Sequence, residues 1–360
     1  MGALPNTQHA VVACTNRAWA FRKELPVPRL EDGEVLIKIE AVALNPSDAK
    51  QLENCPVDGA ISGSDLAGTV VKVSKSMEKD LHIGDRVTAM VLGCNPRQPD
   101  NGAFAQYAAV RAGFCVKLPE TISFEAGTTL TVGLVTCGLA LRSLGLVDAT
   151  ARLASPKNQD SNYVLVYGGS TATGALAIQI LRFLGYAPMA VCSPSSFPLV
   201  REVGAHLCVD YRNSGGSDEI RNTTNGQLRW VLDCIGSPGS TTFCYTAFGN
   251  LDGRYTALNP VPDRLRLRKR RVVPDWILGY TVFGSDVNLS EGFVKKAASI
   301  DTAFTIAWLM NMESLLSRGE LQPHPTSLQP DGLRGIERDL LLLRQGSTSG
   351  KKLVYMLHDT

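Results

Sequence analysis

The first third of the chain alternates apolar and polar side chains with the period of a β-strand. Residues 34–40 follow this alternation, and shorter apolar runs recur at residues 68–71 and 85–87. Alternation with period two places one face of a strand in a core and the other in water. The pattern therefore predicts a small β-rich domain at the front of the chain.

A second pattern begins at Tyr163, where short apolar runs alternate with helical spacing. The predicted elements are a strand from Tyr163, a helix over residues 172–184, a strand over 187–192, a helix over 197–203 and a strand over 207–210. This βαβαβ order is typical of one nucleotide-binding half of a doubly wound sheet. Weaker patterns predict strands over 228–233, 253–258 and 281–283, a helix over 293–318 and a final strand over 352–357.

Between the two parts, residues 124–146 have helical spacing, and residues 147–162 are polar enough to predict an exposed connection. A chain of 360 residues exceeds the size at which one core usually keeps growing, so two domains are expected. The predicted fold class is therefore α/β, a Rossmann-type cofactor domain beside a β-rich domain. Periodicity does not decide which domain the final strand completes.

Composition narrows the class of protein. Hydrophobic residues make up 44%, charged residues 19%, and the net charge is +2, which predicts a folded chain with no general attraction to nucleic acid or membranes. Nine cysteines are scattered without a C-x-x-C pair, which favours reduced thiols inside a cell. Neither a signal peptide nor a long apolar span is evident, so a cytoplasmic location is expected.

A glycine-rich turn, GGSTATG at residues 168–174, lies where the first strand of the βαβαβ unit meets its helix. Glycines permit a tight turn and let backbone N–H groups approach a pyrophosphate, whose charge is favoured at a helix N-terminus. The predicted dinucleotide contacts are Gly168, Gly169, Ser170, Thr171, Ala172 and Thr173. Because the spacing departs from strict G-x-G-x-x-G, a strand-to-helix turn without a ligand stays open.

The end of the second strand bears on the choice of cofactor. NAD sites usually carry Asp or Glu there to accept from the ribose 2′-OH. This chain has Ser193, Pro194, Ser195 and Ser196 instead, and Tyr211 follows the third strand. Hydroxyls without a carboxylate suit a 2′-phosphate, so NADPH is favoured over NADH. Capping of the helix near Phe197 by these serines is the competing explanation.

Further motifs identify a family. They are NPSD at residues 45–48, GSDLAGTV at 63–70, GDRV at 84–87 and GAFAQY at 102–107. With them the chain resembles the medium-chain dehydrogenase/reductase superfamily. The motifs VYGGSTAT at 166–173, CSP at 192–194, VDYR at 209–212, LDCI at 232–235, STTFC at 240–244 and LNP at 258–260 are similar to fungal trans-acting enoyl reductases, which serve iterative highly reducing polyketide synthases of the lovastatin-pathway type.

The resemblance implies a GroES-like catalytic domain over residues 1–134, completed by residues 310–360, and an NADP-binding Rossmann domain over 135–309. The zinc branch of the superfamily has a cysteine near the first motif and Gly-His-Glu before the Ala-Gly-Thr-Val element. This chain has Ser47 and the pair Ser64 and Asp65 at those places, so zinc-independent hydride chemistry and no metal are expected.

An α,β-unsaturated thioester suits a site without a metal, because its carbonyl oxygen takes up the negative charge when hydride arrives. The implied reaction is NADPH-dependent reduction of the double bond in a polyketide acyl thioester, with NADPH giving hydride to the β-carbon. Lys50 follows the NPSD motif and is the predicted catalytic residue, through the cofactor or the enolate. A surface lysine without a role is the alternative, and the proton donor is left unassigned.

The resemblance also implies contacts around these residues. Further cofactor contacts are Ser47, Asp48, Ala49, Leu258, Asn259, Val354 and Tyr355. The implied acyl pocket consists of Cys137, Gly138, Leu139, Ala140, Leu141, Arg142, Ser143 and Leu144, together with Tyr280, Thr281, Val282, Phe283 and Gly284. Plain core packing is the alternative for such apolar runs.

The implied partner is the acyl carrier domain of an iterative polyketide synthase, alone or fused to a nonribosomal peptide synthetase, and the chain itself is expected to be a monomer. Residues 264–271 contain six basic side chains in eight and would suit an acidic carrier protein, although charge runs are usually solvated surface. A zinc-independent quinone or enone reductase acting on free small molecules, and a cofactor-binding protein without activity, are the competing functions.

Overall fold

The computed structural model describes residues 4–14, 16, 18–54, 57–151, 162–262, 264–265, 271–288, 292–344 and 350–357. Its first part contains strands β1 (Thr7–Cys14), β2 (Ala18–Pro26), β3 (Glu34–Ala43), β4 (Asp65–Val73), β5 (Arg86–Met90), β6 (Tyr107–Arg111) and β7 (Cys115–Lys117), and helices α1 (Pro46–Asn54), α2 (Phe124–Gly127) and α3 (Thr131–Ser143).

The middle part alternates strands and helices: β8 (Tyr163–Tyr167), α4 (Ala172–Phe183), β9 (Ala187–Cys192), α5 (Phe197–Glu202), β10 (Leu207–Asp210), α6 (Gly216–Thr223), β11 (Trp230–Asp233), α7 (Pro238–Ala247), β12 (Gly253–Ala257) and β13 (Val272–Trp276). The last part contains a 3-10 helix (Gly279–Phe283), β14 (Val287–Asn288), β15 (Val294–Lys295), α8 (Ser299–Ser317), β16 (Thr326–Gln329), α9 (Ile336–Arg344) and β17 (Lys352–Met356).

The middle strands form a six-stranded sheet in the order β10-β9-β8-β11-β12-β13, and all its pairings are parallel. Its central strands β8, β9 and β11 are apolar and buried, as expected for strands covered by helices on both faces. Successive strands are added on one side of β8 up to β10, and from β11 onward they are added on the other side. Sheets of this kind bind ligands at this switch point. The predicted α/β class and the βαβαβ unit are confirmed.

The other large sheet has the order β16-β17-β3-β4-β5-β7, with β6 also paired to β3. The final strand β17 pairs antiparallel with β3, where Val354 lies opposite Ala43 and Met356 opposite Ala41. The end of the chain therefore completes the front sheet. The predicted domain limits at residues 134 and 309 fall inside α3 and α8, and the division into domains stays a prediction.

The core joins both sheets through α3 and α8. Trp308 on α8 is fully buried, and its indole N–H donates to the carbonyl of Leu134 on α3 at 2.8 Å. By length and apolar composition the helical stretch Phe124–Ser143 could cross a membrane, but most of it is buried in this fold. Such burial is typical of a core helix.

Three predictions of local structure are wrong or incomplete. Residues 281–283 belong to the 3-10 helix instead of a strand, because Thr281 bonds back to the carbonyl of Leu278 through both its N–H and its hydroxyl. The helix predicted from residue 293 begins only at Ser299, since Val294–Lys295 pairs with Val287–Asn288. In the predicted exposed connection, Val147 and Ala151 are buried, and residues 152–161 lie outside the described residues.

Candidate active site

A cleft of about 1030 Å³ opens between the two large sheets. It runs from the carboxyl ends of the parallel strands to the start of α1 and to the end of the chain. The parallel sheet contributes Gly168, Ser193 and Leu258, and the front of the chain contributes Asn45 and Ser47. Its position at the switch point of the parallel sheet makes it the candidate active site.

The glycine-rich turn forms one end of the cleft. Gly168 has φ +76, in the left-handed region that favours glycine, and the chain then enters α4. Thr171 caps that helix, because its hydroxyl accepts from the N–H of Gly174 at 3.0 Å and donates to the carbonyl of Gly168 at 2.8 Å. A Cβ at Gly174 would collide with the carbonyl oxygen of Gly168. The turn therefore presents a capped helix N-terminus that an anion can approach closely.

The serines after β9 form a small hydroxyl cluster beside this turn. The hydroxyl of Ser193 lies 3.1 Å from that of Ser195 and 3.2 Å from that of Ser196. Neither Ser193 nor Ser196 makes a side-chain cap bond to the helix that follows it. Helix capping therefore does not explain the positions of these hydroxyls. Ser193 and Ser195 line the cleft, as does the half-exposed Tyr211.

Lys50 reaches across the cleft from α1 to the loop after β12. Its Nζ donates to Oδ1 of Asn259 at 2.8 Å, and Nδ2 of Asn259 donates to the carbonyl of Ile235 at 2.7 Å. The ammonium also lies 5.6 Å from the ring centroid of Phe293. Lys50 is half-buried and lines the cleft, so it is not an ordinary surface lysine.

A buried ionic cluster supports the front wall of the cleft. Nζ of Lys352 lies 2.5 Å from Oδ2 of Asp65, and both side chains are almost fully buried. Oδ2 of Asp65 also accepts from Nδ2 of Asn45 at 3.0 Å, and Oδ1 accepts from the N–H of Val132 at 2.9 Å. This pair joins β17 to β4 and to the start of α3. A buried charge pair needs such additional donors to offset its lost hydration.

Asp48 is a second buried carboxyl behind the same wall. Its Oδ2 accepts from the N–H of Asn45 at 2.8 Å, and its Oδ1 accepts from the hydroxyl of Ser64 at 2.8 Å. Burial raises the pKa of Asp48 from 3.8 to about 7, and the two hydrogen bonds and the charge of Lys352 oppose this rise only in part. Asp48 therefore exchanges its proton near neutral pH.

Tyr280 and Ser47 connect this buried group to the cleft. Both residues line the cleft, Ser47 half-buried and Tyr280 buried. The Tyr280 hydroxyl lies beside Ser47, Ser64 and Asp48, and burial raises its pKa well above the usual range. Tyr280 remains protonated at neutral pH and can act only as a neutral hydroxyl.

Residues 31–120 match the family described as Alcohol dehydrogenase GroES-like domain. The chain is 39% identical to the trans-enoyl reductase FSL5 of Gibberella zeae, over 99% of both chains, and 39% identical to the trans-enoyl reductase caaB of Aspergillus niger, over 98% of both. It belongs to the trans-enoyl reductase family. This confirms the resemblance seen in its motifs.

Solved structures share the fold of this trans-enoyl reductase at lower identity. The CurK enoyl reductase superposes with a TM-score of 0.74 at 15% identity, covering 97% of this chain and 98% of CurK. A putative zinc-dependent alcohol dehydrogenase from Rhizobium etli gives a TM-score of 0.77 at 19% identity, covering 98% and 99%. Both show that the chain has the medium-chain dehydrogenase/reductase fold.

Most of the predicted cofactor contacts of this trans-enoyl reductase lie together in the cleft. They are Ser47, Lys50, Gly168, Ser170, Thr171, Ala172, Thr173, Ser193, Ser195, Tyr211, Leu258 and Asn259. Asp48, Ala49, Gly169, Pro194 and Ser196 do not line the cleft, and of these Pro194 is exposed to solvent. In the final strand, Val354 is buried opposite Ala43, and the Tyr355 hydroxyl donates to Oδ2 of Asp339 at 2.5 Å. The preceding residues Gly350, Lys351, Lys352 and Leu353 line the cleft in their place.

Most residues of the implied acyl pocket do not lie in the cleft. Of its residues only Tyr280 lines the cleft. The residues that do not line it are Cys137, Gly138, Leu139, Ala140, Leu141, Arg142, Ser143 and Leu144, on or directly after α3, and Thr281, Val282, Phe283 and Gly284. The ring of Trp308 covers Gly138, and Arg142 pairs with Asp301. The start of α3 contributes Val132 and Thr136, which lie with Met90, Ile277, Leu278 and Gly279 along the apolar part of the cleft.

Several lining residues have no signal in the sequence. His324 is isolated between prolines, and Phe293 falls within a stretch whose pattern predicts a helix. Burial, together with the nearby charge of Lys352, lowers the pKa of His324 to about 4, so its imidazole is uncharged at neutral pH. Among the residues that the structure describes, no group of three or more His, Cys, Asp or Glu side chains is arranged to hold a metal ion.

Proposed function

We propose that this chain is an NADPH-dependent, trans-acting enoyl reductase that reduces the α,β-double bond of polyketide acyl thioesters carried by a partner synthase. The observation that carries the proposal is the single cleft in which the glycine-rich turn, the serine cluster and Lys50 meet. The family relatives, which are named trans-enoyl reductases, support the reaction class.

The residues present fit an NADPH molecule. The N-terminus of α4 and the hydroxyls of Ser170 and Thr173 suit a pyrophosphate. Gly174 leaves no room for a side chain at the start of this helix, so a phosphate can come close to the backbone N–H groups there. Ser193 and Ser195 suit a 2′-phosphate, because no carboxylate stands among them and their hydroxyls are not used as helix caps. When bound, NADPH supplies a hydride to the substrate β-carbon.

Lys50 provides the positive charge at the reacting end. Asn259 and Phe293 hold its ammonium between the two walls of the cleft. Hydride addition places negative charge on the thioester oxygen, and a fixed cation stabilises such charge more in the transition state than in the ground state. We infer that Lys50 orients the cofactor amide or the thioester oxygen and stabilises the enolate.

The apolar part of the cleft suits an acyl chain. Met90, Val132 and Ile277 line the same cleft as Lys50 and Tyr280. Because the cleft opens to solvent, a thioester on a long carrier arm can enter it from a separate protein. The partner we propose is an acyl carrier domain of a polyketide synthase, alone or fused to a nonribosomal peptide synthetase. We further propose that the protein works as a monomer in the cytoplasm. We also propose that the carrier domain docks at the basic residues 264–271, of which residues 266–270 lie outside the described residues.

The reaction is tested by NADPH oxidation with a series of α,β-unsaturated pantetheine thioesters and, in parallel, with quinones, while mass spectrometry identifies the saturated thioester. Lys50→Ala should lower kcat/KM by about a hundredfold or more, as expected for loss of a group that stabilises the oxyanion. The matched control is Lys38→Ala, which removes an exposed lysine on β3. Turnover of quinones without turnover of thioesters would establish the competing quinone reductase, and a normal rate for Lys50→Ala would remove Lys50 from the mechanism.

The cofactor preference is tested separately by titration of NADPH and NADH. Ser195→Asp places a carboxylate in the serine cluster, where it repels a 2′-phosphate, and should weaken NADPH binding by about tenfold or more with little change for NADH. Ser314→Asp on the exposed side of α8 adds the same charge outside the cleft and should change neither Kd. Equal affinity of the wild-type protein for both cofactors would contradict the assignment to NADPH.

A further inference from the structure

The reduction needs a proton for the α-carbon, and three hydroxyl groups lead from a buried carboxyl, that of Asp48, to the cleft, which makes four polar groups in all. We propose that these groups form a proton chain for the reaction proposed above, on which this inference rests. In order from the interior to the cleft, the proton chain consists of Asp48, Ser64, Tyr280 and Ser47.

The inner half of the proton chain is a direct contact. Oδ1 of Asp48 and the hydroxyl of Ser64 are 2.8 Å apart, and both side chains are almost fully buried. The N–H of Asn45 fixes the other carboxyl oxygen at 2.8 Å. One oxygen of Asp48 is thus held by a donor that never titrates, and the other faces a hydroxyl that can either donate or accept.

The outer half reaches the cleft surface. The Tyr280 hydroxyl is buried and has the hydroxyls of Ser64 and Ser47 as neighbours. It makes no hydrogen bond of ordinary geometry among the described residues, so proton transfer through it requires the hydroxyl to turn toward each neighbour. A buried donor without a partner is rare in folded proteins, and a role in the chemistry of a site is one of the reasons for which such a group is retained. Ser47 is half-buried and lines the cleft on the same turn of α1 as Lys50, so its hydroxyl is the member that substrate can touch.

The proton transfers balance. When the α-carbon takes a proton, its new C–H bond forms as the O–H bond of Ser47 breaks. Ser47 takes the proton of Tyr280, Tyr280 that of Ser64, and Ser64 that of the Asp48 carboxyl, so the three hydroxyls end neutral and Asp48 ends as a carboxylate. After the product leaves, water entering the cleft returns one proton by the reverse route. No further oxidant, reductant or co-reactant is required.

The charged surroundings of Asp48 suit this role. The groups that face it are Asp65 on β4, Lys352 on β17 and Tyr280 on the 3-10 helix. The pKa of Asp48 of about 7 means that the carboxyl is protonated in part at neutral pH and can both lose and regain its proton there. Ser47 is the catalytic residue of the proton chain, and the other three are positioning residues that act through it.

The test uses the full chain with NADPH and an enoyl pantetheine thioester, and measures kcat against pH in H2O and in D2O. Wild-type kcat should fall as pH rises through about 7, because only protonated Asp48 supplies the proton. Ser64→Ala and Tyr280→Phe should lower kcat by about a hundredfold, the usual contribution of a general acid, and should enlarge the solvent isotope effect. Asp48→Asn should lose the fall near pH 7.

The matched control is Thr88→Val, which removes a buried hydroxyl of the same sheet that bonds to Leu66 and Thr131 and does not line the cleft. Its kcat profile should follow the wild type. The Kd for NADPH verifies that each variant is folded. If Tyr280→Phe fails to bind NADPH, Ser64→Ala and Asp48→Asn decide the question, since neither Ser64 nor Asp48 lines the cleft.

Folded variants that keep wild-type kcat and its pH dependence would overturn the proton chain while leaving the reductase function in place. A wild-type protein that binds NADPH but reduces no enoyl thioester would instead overturn the proposed function, and the proton chain with it.

Discussion

Lys352→Met tests how strongly the buried ion pair holds the end of the chain against the front sheet. Methionine keeps most of the apolar stem of lysine but removes the ammonium that lies 2.5 Å from Oδ2 of Asp65. Asp65 is fully buried, so its charge would then be left with two neutral donors, the side-chain amide of Asn45 and the N–H of Val132.

The expected cost is large relative to ordinary protein stability. Removing one partner of a buried ion pair costs about 3–5 kcal/mol, because the remaining charge has lost its hydration without compensation. A domain is stable by only about 5–15 kcal/mol, so the variant should unfold at a much lower denaturant concentration. The measurement is urea unfolding followed by circular dichroism, with the slope of the transition checked for change.

Two further variants show whether the loss of stability is specific to the buried ion pair. Lys352→Met combined with Asp65→Asn should recover at least about half of the loss, because the amide oxygen still accepts a hydrogen bond while the unpaired charge is gone. Arg221→Met breaks the surface pair with Asp218 on α6 and should cost less than about 1 kcal/mol. A loss below about 1 kcal/mol for Lys352→Met itself would refute the reasoning, since it would mean that water reaches Asp65.

Two other predictions concern the groups that surround the cleft. Asp48→Asn mimics the protonated carboxyl, with its amide donating to Ser64. Because the folded pKa of Asp48 is raised from 3.8 to about 7, wild-type stability declines as pH rises from about 4 to about 7 and is level above that. In urea unfolding the variant should therefore gain about 3 kcal/mol on the wild type between about pH 5 and about pH 8.5, at about 1.4 kcal/mol per pH unit up to the folded pKa. Parallel curves at the two pH values would contradict this. Gly174→Ala should destabilise the fold by about 2 kcal/mol or more and abolish NADPH binding, because the new Cβ meets the carbonyl of Gly168. A Cβ at Gly215 would make only an ordinary contact, 3.6 Å from the side-chain oxygen of Asn213, so Gly215→Ala should be near neutral in thermal unfolding and in NADPH titration. Normal NADPH affinity in Gly174→Ala would show that the turn yields.

The sequence by itself determined the parallel half of the fold and the glycine-rich turn at which we propose that the cofactor binds. The buried strands β8 and β9 are short apolar runs, and the glycine-rich turn between β8 and α4 carries its own cap in Thr171. These features depend on residues close together in the chain, so their pattern is visible in one dimension. The family resemblance of the motifs at residues 45–48 and 63–70 drew attention to Lys50 and Ser47, both of which line the cleft, while their roles stay predictions.

Only the tertiary structure decided which distant residues share the cleft. Lys50 meets Asn259 across 209 positions of sequence, and Lys352 meets Asp65 across 287, contacts that no local pattern contains. The 3-10 helix replaced a predicted strand at residues 281–283, because short-range bonds to Leu278 and burial of Tyr280 outweigh the β-preference of the run TVF. The hydrophobic period of a sequence indicates whether a residue is buried, but it does not indicate which residues surround it. The chemistry of this site depends on those surrounding residues.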